Sequence, residues 1–142
     1  MYMDRTTPNN IISLEPNQIF VFGSNISGRH GKGAAKTAMS WGAKYGQGEG
    51  IQGRTYGIPT VNASISNKLT IEKIKVYVDR FIQYAKQHPE NIFLVTEIGC
   101  GLAGHSHKDI SPLFQEAATI ENIFLPTKFW HKLLANQSRR FK

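Results

Sequence analysis

The stretch QIFVFGSNISGRHGKGAAKTA, residues 18–38, decides the fold of this chain. After Gln18 its first part, 18–23, is a continuous apolar and aromatic run, which is typical of a strand buried on both faces. A glycine-rich loop, SNISGRHGKG, follows and leads into an alanine-rich segment, 34–46, of high helix propensity that Gly46 is expected to end. Strand, glycine loop and helix in this order predict one unit of an α/β fold.

The same alternation continues along the chain. We predict further strands at 11–14, 55–60, 92–98 and 122–126, and helices at 71–87, 109–119 and 128–136. The helix over 71–87 is the clearest, because Thr70 is a suitable N-cap and the His88-Pro89 pair ends it. The pattern predicts a single α/β domain over 1–142, with its core at about 11–136 and a largely parallel central sheet.

Composition and charge exclude several classes of protein. Of the 142 residues, 17 are basic and 10 acidic, and the basic ones are concentrated within 18–60 and 128–142. This favours an anionic partner, either a nucleotide or a nucleic acid. No apolar run approaches the ~18 residues of a membrane span, so no membrane partner is expected. The single Cys100 and the lack of zinc-like spacing predict no disulfide, no metal site and a cytoplasmic location.

The glycines fall into two groups. Ten of the 13 lie between positions 23 and 57, and the others are Gly99, Gly101 and Gly104. Each group follows a predicted parallel strand, so both are expected at the sheet edge where α/β proteins bind ligands, with backbone N–H groups facing a phosphate. The alternative is that these glycines only form tight turns. The GKG of 31–33 lacks the following Ser or Thr of a Walker loop, and the Rossmann spacing also fails, so an ATPase is disfavoured.

Three segments together resemble a known family. FGSNISGRHGKGAAKTA at 22–38, YGIPT at 56–60 and VTEIGCGLAG at 95–104 are similar to the macrodomain pattern, especially that of small bacterial and phage macrodomain-like proteins, over about 11–130. The resemblance implies a three-layer α/β/α sandwich that binds ADP-ribose or a related nucleotide without a further cofactor. Members either read this ligand or hydrolyse ADP-ribosyl links on protein or DNA.

The resemblance also implies ligand-binding positions. Asn25 would face the distal ribose, a role that suits an amide able to donate and accept hydrogen bonds. The two loops would enclose the sugar and diphosphate through Gly31, Lys32, Gly33 and Ala34, and through Gly99, Cys100, Gly101, Leu102, Ala103 and Gly104. Related hydrolases with a similar loop use a lysine and an acid where this chain has Val61 and Ala103, so a covalent-lysine mechanism is not implied.

The candidate catalytic residues are Asn25, Glu97 and Asp109. Glu97 lies in an otherwise apolar predicted strand, where a buried carboxylate requires a partner or a function, either as a general base or as an acceptor for loop amides. His105 is a candidate phosphate contact, and it and His107 are candidate acids, unless both are simply solvated.

Two alternatives to an enzyme remain open. The first is a non-enzymatic sensor that sequesters a nucleotide. The second is a nucleic-acid-binding protein that uses the basic 128–142 stretch, although the sequence shows no aromatic platform or recognition helix. Phe129 and Trp130 either stack on adenine or belong to the core. The acceptor of an ADP-ribosyl group and the oligomeric state stay open.

Overall fold

The computed structural model of the protein describes residues 2–62, 67–101 and 103–140. Within them, one sheet contains β1 (Gln18–Asn25), β2 (Gly50–Gln52), β3 (Thr55–Val61), β4 (Ile92–Val95) and β5 (Ile123–Phe124). The α-helices are α1 (Gly33–Met39), α2 (Ile71–Lys86), α3 (His107–Ile110) and α4 (Thr127–Arg140). Short 3-10 helices cover Tyr2–Arg5, Ser111–Phe114 and Glu116–Thr119.

The strand order in the sheet is β2-β3-β1-β4-β5. Strand β1 pairs in parallel with β3 and with β4, and β4 pairs in parallel with β5. Only β2 among these strands runs antiparallel to its neighbour, β3. The prediction of an α/β fold with a largely parallel sheet is therefore confirmed, and the carboxyl ends of β1, β3 and β4 lie side by side.

Strand β1 is buried on both faces, as its apolar run predicts. Ile19 and Val21 pack in a cluster with the apolar side of α2, whereas Phe20 and Phe22 pack in a second cluster with Ala38 of α1. Since successive side chains of a strand point to opposite faces, α1 and α2 cover opposite faces of the sheet.

Helix α2 begins and ends close to its predicted bounds. The Thr70 hydroxyl accepts a hydrogen bond from the Lys73 N–H at 3.2 Å, and this N-cap satisfies one of the otherwise unpaired first-turn amides. The helix buries the residues that recur at helical spacing, which are Ile74, Val78, Phe81, Ile82 and Ala85. The N-cap and the apolar spacing in the sequence therefore predict the same helix that packs against the sheet.

Two predicted helices are shorter than expected. Helix α1 ends at Met39 rather than at 46, because Gly42 has a positive φ of +105° and the Ala43 N–H donates back to Ala38 O at 3.1 Å, which closes the end of the helix. The helix predicted over 109–119 is instead α3 followed by two 3-10 helices. Pro112 has no N–H to donate, and its ring blocks continuation of α3.

The strand predictions also need correction. Residues 11–14 form no strand; Ile11 and Leu14 pack against the α1-side cluster instead. The strand predicted over 92–98 ends at Val95, because the Ile98 N–H donates to Thr96 O at 2.8 Å and turns the chain. The strand predicted over 122–126 is reduced to β5.

Strand β2 was not predicted. It joins β3 through the two-residue turn Gly53-Arg54, in which Gly53 has φ +61° at the position where type II′ hairpin turns favour glycine. Strand β3 also continues past its predicted end to Val61. Pro59 is tolerated inside it because the pairing with β2 stops at Gly57 and the bridge to Lys68 begins only at Val61, so Pro59 has no strand partner on that side.

The segment before residue 11 is packed onto the far edge of the sheet. Thr6 forms a parallel bridge with Leu125, next to β5. The Arg5 guanidinium donates hydrogen bonds to three carbonyl groups, those of Ala118, Ile120 and Ile123, and lies 5.2 Å from the centre of the Trp130 ring. We call this arrangement the Arg5 clasp. Within the described residues no helix is long and apolar enough to cross a membrane.

Candidate functional site

A cleft of about 460 Å³ lies at the carboxyl ends of β1, β3 and β4. Both glycine loops line it, through residues 31–34 after β1 and residues 99, 101 and 103 after β4. The other lining residues are Gly23, Ser24, Asn25, Arg29, Ala35, Tyr45, Thr60, Val61, Thr96, Glu97 and Ile98. Its volume is within the range of sites for nucleotide-sized molecules.

Several residues that line this cleft carry hydrogen-bond donors without an acceptor. The backbone N–H groups of Gly31 and Lys32 in the first loop, and of Gly99 and Gly101 in the second, have no acceptor among the described residues. Lys32 and Arg29 add positive charge, and no described acidic side chain forms an ion pair with either of them. Unpaired amides and cations at one place form an environment suited to phosphate oxygens.

Asn25 lines the cleft, but most of its side chain is committed to the first loop. Its Nδ2 donates to Arg29 O at 2.8 Å, and its Oδ1 accepts from the Arg29 N–H at 2.8 Å and from the Ser27 hydroxyl at 2.9 Å. One Nδ2 proton has no acceptor among the described residues. Asn25 therefore fixes the shape of the 25–29 turn, and its free capacity to contact a ligand is that single donor.

Hydroxyl groups at the ends of three strands supply acceptors on the same cleft. The side chains of Ser24, Thr60 and Thr96 donate their protons to the carbonyl groups of Gly48, Ser24 and Val21, respectively. Because each hydroxyl proton is used in this way, the oxygen presents lone pairs to anything bound beside it. Acceptors of this kind suit the hydroxyl groups of a sugar.

Glu97 is half-exposed at the cleft and pairs with a histidine. Its Oε1 lies 2.5 Å from Nε2 of His107, in the first turn of α3, and the His107 ring packs edge-on against Phe129. The expectation of a carboxylate buried in a strand is wrong, because β4 ends at Val95 and the side chain of Glu97 is 43% exposed. The pairing with His107 was not foreseen.

Several predicted site residues lie elsewhere. His105 is buried, and its Nε2 donates to Leu69 O at 3.0 Å, outside the cleft lining. Asp109 is exposed in the first turn of α3, where its N–H donates to the Ser106 cap. Gly104 does not line the cleft, and Leu102 lies outside the described residues.

Cys100 is also turned away from the cleft, towards the core cluster. Burial raises the pKa of the Cys100 thiol to about 11, and the nearby Glu97 carboxylate adds to the shift. The thiol is therefore protonated at neutral pH and a poor nucleophile. Among the described residues no group of three or more His, Cys, Asp and Glu side chains is placed to hold a metal ion.

The glycines divide into two kinds according to what surrounds them. A Cβ on Gly28 would meet Gln47 N at 2.3 Å, and one on Gly48 would meet Asn25 O at 2.2 Å, so these glycines allow two stretches of backbone to pack closely. In contrast, nothing lies within 4 Å of a Cβ on Gly31 or Gly101, which both line the cleft. Only glycines of the second kind leave space for a ligand.

Sequence reasoning missed Tyr45 and Arg29, which line the cleft, because it assigned 34–46 to a helix and considered only the GKG part of the loop. The aromatic residues it offered for stacking, Phe129 and Trp130, are buried in the core instead. The exposed aromatic residue at the cleft is Tyr45, whose position depends on the early end of α1.

A second hollow of about 250 Å³ continues from the cleft and shares Ala34, Thr96 and Glu97 with it. Residues 7–11 and Pro126 form its far side. Thr7 is buried there, and its Oγ1 has no hydrogen-bond partner among the described residues. A polar group of a ligand reaching this hollow would meet an unsatisfied hydroxyl.

Comparisons with known proteins show a fold and no function. No protein-family model matches the chain, and no curated protein matches it. One solved structure, described as that of a protein of unknown function from Bacteroides thetaiotaomicron, is similar with a TM-score of 0.58 and 12% sequence identity. The similarity covers 81% of this chain and 90% of that one, so the two proteins share an overall fold.

Proposed function

We propose that the protein is a macrodomain-like, three-layer α/β/α module that binds ADP-ribose or an ADP-ribosyl group in the cleft. The observation that carries this proposal is the convergence of both glycine loops on one cleft at the strand ends, with four N–H groups and two cations that have no partner among the described residues. A diphosphate requires several donors together, and the residues that line this cleft carry them. A cytoplasmic location fits a nucleotide ligand of this kind.

The cleft and the second hollow together suit a ligand with two ends. The diphosphate would lie between Gly31 and Gly101, where each glycine leaves open space. The distal ribose would face the hydroxyl acceptors of Ser24 and Thr60, and the base would enter the second hollow beside Thr7. This arrangement uses acceptors for sugar hydroxyls and donors for phosphate, as the chemistry of ADP-ribose requires.

The Glu97–His107 pair supports a second candidate activity, hydrolysis of an ADP-ribosyl link. Glu97 would accept a proton from a water molecule that attacks the anomeric carbon, while the bond to the acceptor breaks and the acceptor leaves with a proton from solvent. His107, 2.5 Å from the carboxylate and outside the cleft lining, would act as a positioning residue. Val61 and Ala103 occupy the cleft where related enzymes use lysine and an acid, so this route involves no covalent lysine.

Calorimetric titration tests the binding proposal. ADP-ribose should bind at least about 10-fold more tightly than AMP, because AMP lacks the distal ribose and the second phosphate. Gly101→Val should abolish most of that preference and leave the unfolding midpoint within about 2 °C of wild type, since a Cβ at this position has no atom within 4 Å beyond its chain neighbours. Equal binding of both nucleotides, or none, would rule out the proposal.

Release of ADP-ribose from modified protein and modified DNA tests the enzymatic candidate. Glu97→Gln should bind ADP-ribose as the wild type does and release none from either substrate. His107→Ala should alter the pH dependence of release more than the affinity for ADP-ribose. If the wild-type protein binds ADP-ribose and releases none, the protein is a reader of the modification.

A further inference from the structure

Residues 8–13, which we call the strap, border the second hollow between the Arg5 clasp and the chain that leads into β1. Residues 8–11 line this hollow of about 250 Å³ together with Phe20 of β1 and Ala34 and Thr37 of α1. Under the proposed function the hollow holds the base of the ligand. The strap is therefore a wall of the base site that belongs to no helix or strand.

Both ends of the strap are fixed by hydrogen bonds. Before it, the Thr7 N–H donates to Leu125 O at 2.9 Å. After it, the Arg54 guanidinium donates to Leu14 O at 2.9 Å and to Glu15 O at 2.7 Å. The strap is thus tied at one end to the residue that follows β5 and at the other end to the turn between β2 and β3.

Between these ends the strap is held only by packing. Residues 8–13 make no hydrogen bond to any described residue. Ile11 packs against the α1-side cluster, whereas Ile12 is 82% exposed. A segment with fixed ends and no hydrogen bonds of its own can move without breaking one, and segments of this kind open and close at low cost in free energy. The only packing that such a movement would disturb is that of Ile11.

Two features of the strap region would be stabilised by a base in the hollow. Thr7 lines the hollow and is only 3% exposed, yet its Oγ1 has no hydrogen-bond partner among the described residues. A buried hydroxyl without a partner is unfavourable, and a polar group of a base can supply that partner. Ile12 is a large apolar side chain in solvent, and covering it is favourable. A base offers a polar edge to the first and an apolar face to the second.

We propose that the strap closes over the base of the bound nucleotide and brings Ile12 into contact with it. This inference rests on the proposed function, which places the base in the second hollow, and it adds a conformational step to binding. Closure retains any ligand that carries a base, whereas contacts of the diphosphate with the two glycine loops do not depend on it.

Amide hydrogen exchange, followed residue by residue by NMR, tests the inference. The N–H groups of residues 9–13 have no acceptor among the described residues, so they should exchange rapidly in the free protein. Saturating ADP-ribose or AMP, which both carry the base, should slow this exchange at least about 10-fold. Ribose 5-phosphate, which has no base, should leave it unchanged. The N–H groups of Gly31 and Gly101 report separately on the binding of ADP-ribose in the cleft.

Ile12→Ser distinguishes a closing strap from a fixed wall. Ile12 is not among the residues that line the hollow, so a base bound beside an unmoved strap would not touch it. Closure predicts that Ile12→Ser weakens ADP-ribose binding about 3- to 30-fold in calorimetry, because an apolar contact is lost. The unfolding midpoint should stay within about 2 °C of wild type, since the side chain is already exposed. The matched control, Val76→Ser, changes an exposed apolar residue on α2 and should leave the affinity unchanged.

The outcomes separate the two proposals. If ADP-ribose slows exchange at Gly31 and Gly101 but not in the strap, or if Ile12→Ser binds it as tightly as the wild type, the strap does not close and the proposed function stands. Slower exchange of the strap with ribose 5-phosphate would also overturn the inference, because closure would then not depend on the base. If ADP-ribose slows exchange at neither place, the proposed function itself fails.

Discussion

Replacing Asn25 with alanine distinguishes a residue that shapes the loop from one that only touches a ligand. The side chain makes three hydrogen bonds within the 25–29 turn. At about 1 kcal/mol each, their loss has an upper limit of about 3 kcal/mol. Arg29 is exposed, so its released N–H and C=O regain water and the expected loss in the free energy of unfolding is about 1–2 kcal/mol.

Thermal and urea denaturation measure this loss. For a domain of this size, it corresponds to a fall of about 3–7 °C in the unfolding midpoint. Asn17→Ala, which removes an exposed amide before β1, is the matched control and should stay within about 0.5 kcal/mol of wild type.

Calorimetry on the same variants completes the test. We expect Asn25→Ala to weaken ADP-ribose binding and stability together, because the loop that presents Gly31 and Lys32 is no longer held. Weakened binding with an unfolding free energy within about 0.5 kcal/mol of wild type would refute the reasoning, and would assign Asn25 a direct contact with the ligand instead.

Three further predictions concern stability. Gly28→Ala should destabilise the protein by at least about 2 kcal/mol in urea denaturation, since its Cβ would meet Gln47 N at 2.3 Å, whereas Gly31→Ala should change little. Arg5→Ala should lower the free energy of unfolding by about 3 kcal/mol, because it removes three charge-assisted hydrogen bonds. An unchanged midpoint of urea denaturation would mean that the clasp is not formed in solution. Burial raises the pKa of the Cys100 thiol from 9.0 to about 11, so the unfolded chain loses this proton at a lower pH than the folded protein does. The free energy of unfolding measured in urea should therefore fall as the pH rises from about 9 to about 11, and it should fall less steeply in Cys100→Ala.

The sequence predicted those parts of the fold in which local and tertiary signals coincide. Strand β1 is continuously apolar because both its faces are covered, and α2 carries both its N-cap at Thr70 and its apolar face in local sequence. Strand β2 is three residues long and has no such signal apart from Gly53 in the turn. Its pairing with β3 depends on contacts between segments.

The candidate site was predicted in its glycine loops and missed in its side chains. Gly31 and Gly101 were found because glycine at strand ends is visible in sequence. Tyr45 was missed because the alanine-rich segment was extended as a helix to Gly46, whereas α1 already ends before Gly42, whose φ is +105°. The predicted environment of Glu97 was wrong because the turn after Val95 is made by backbone hydrogen bonds, which the residue types in the sequence do not indicate.

The Arg5 clasp has a consequence for the order in which the chain folds. Its hydrogen bonds join residues 113, 115 and 118 positions apart, so the clasp closes only after residue 123 has been synthesised. The Thr6 bridge covers the edge of β5, and an uncovered strand edge is a site for pairing with other chains. Because Thr6 is synthesised long before β5, the segment that covers this edge is already present when the edge forms, and the edge is open to aggregation only until Thr6 pairs with Leu125.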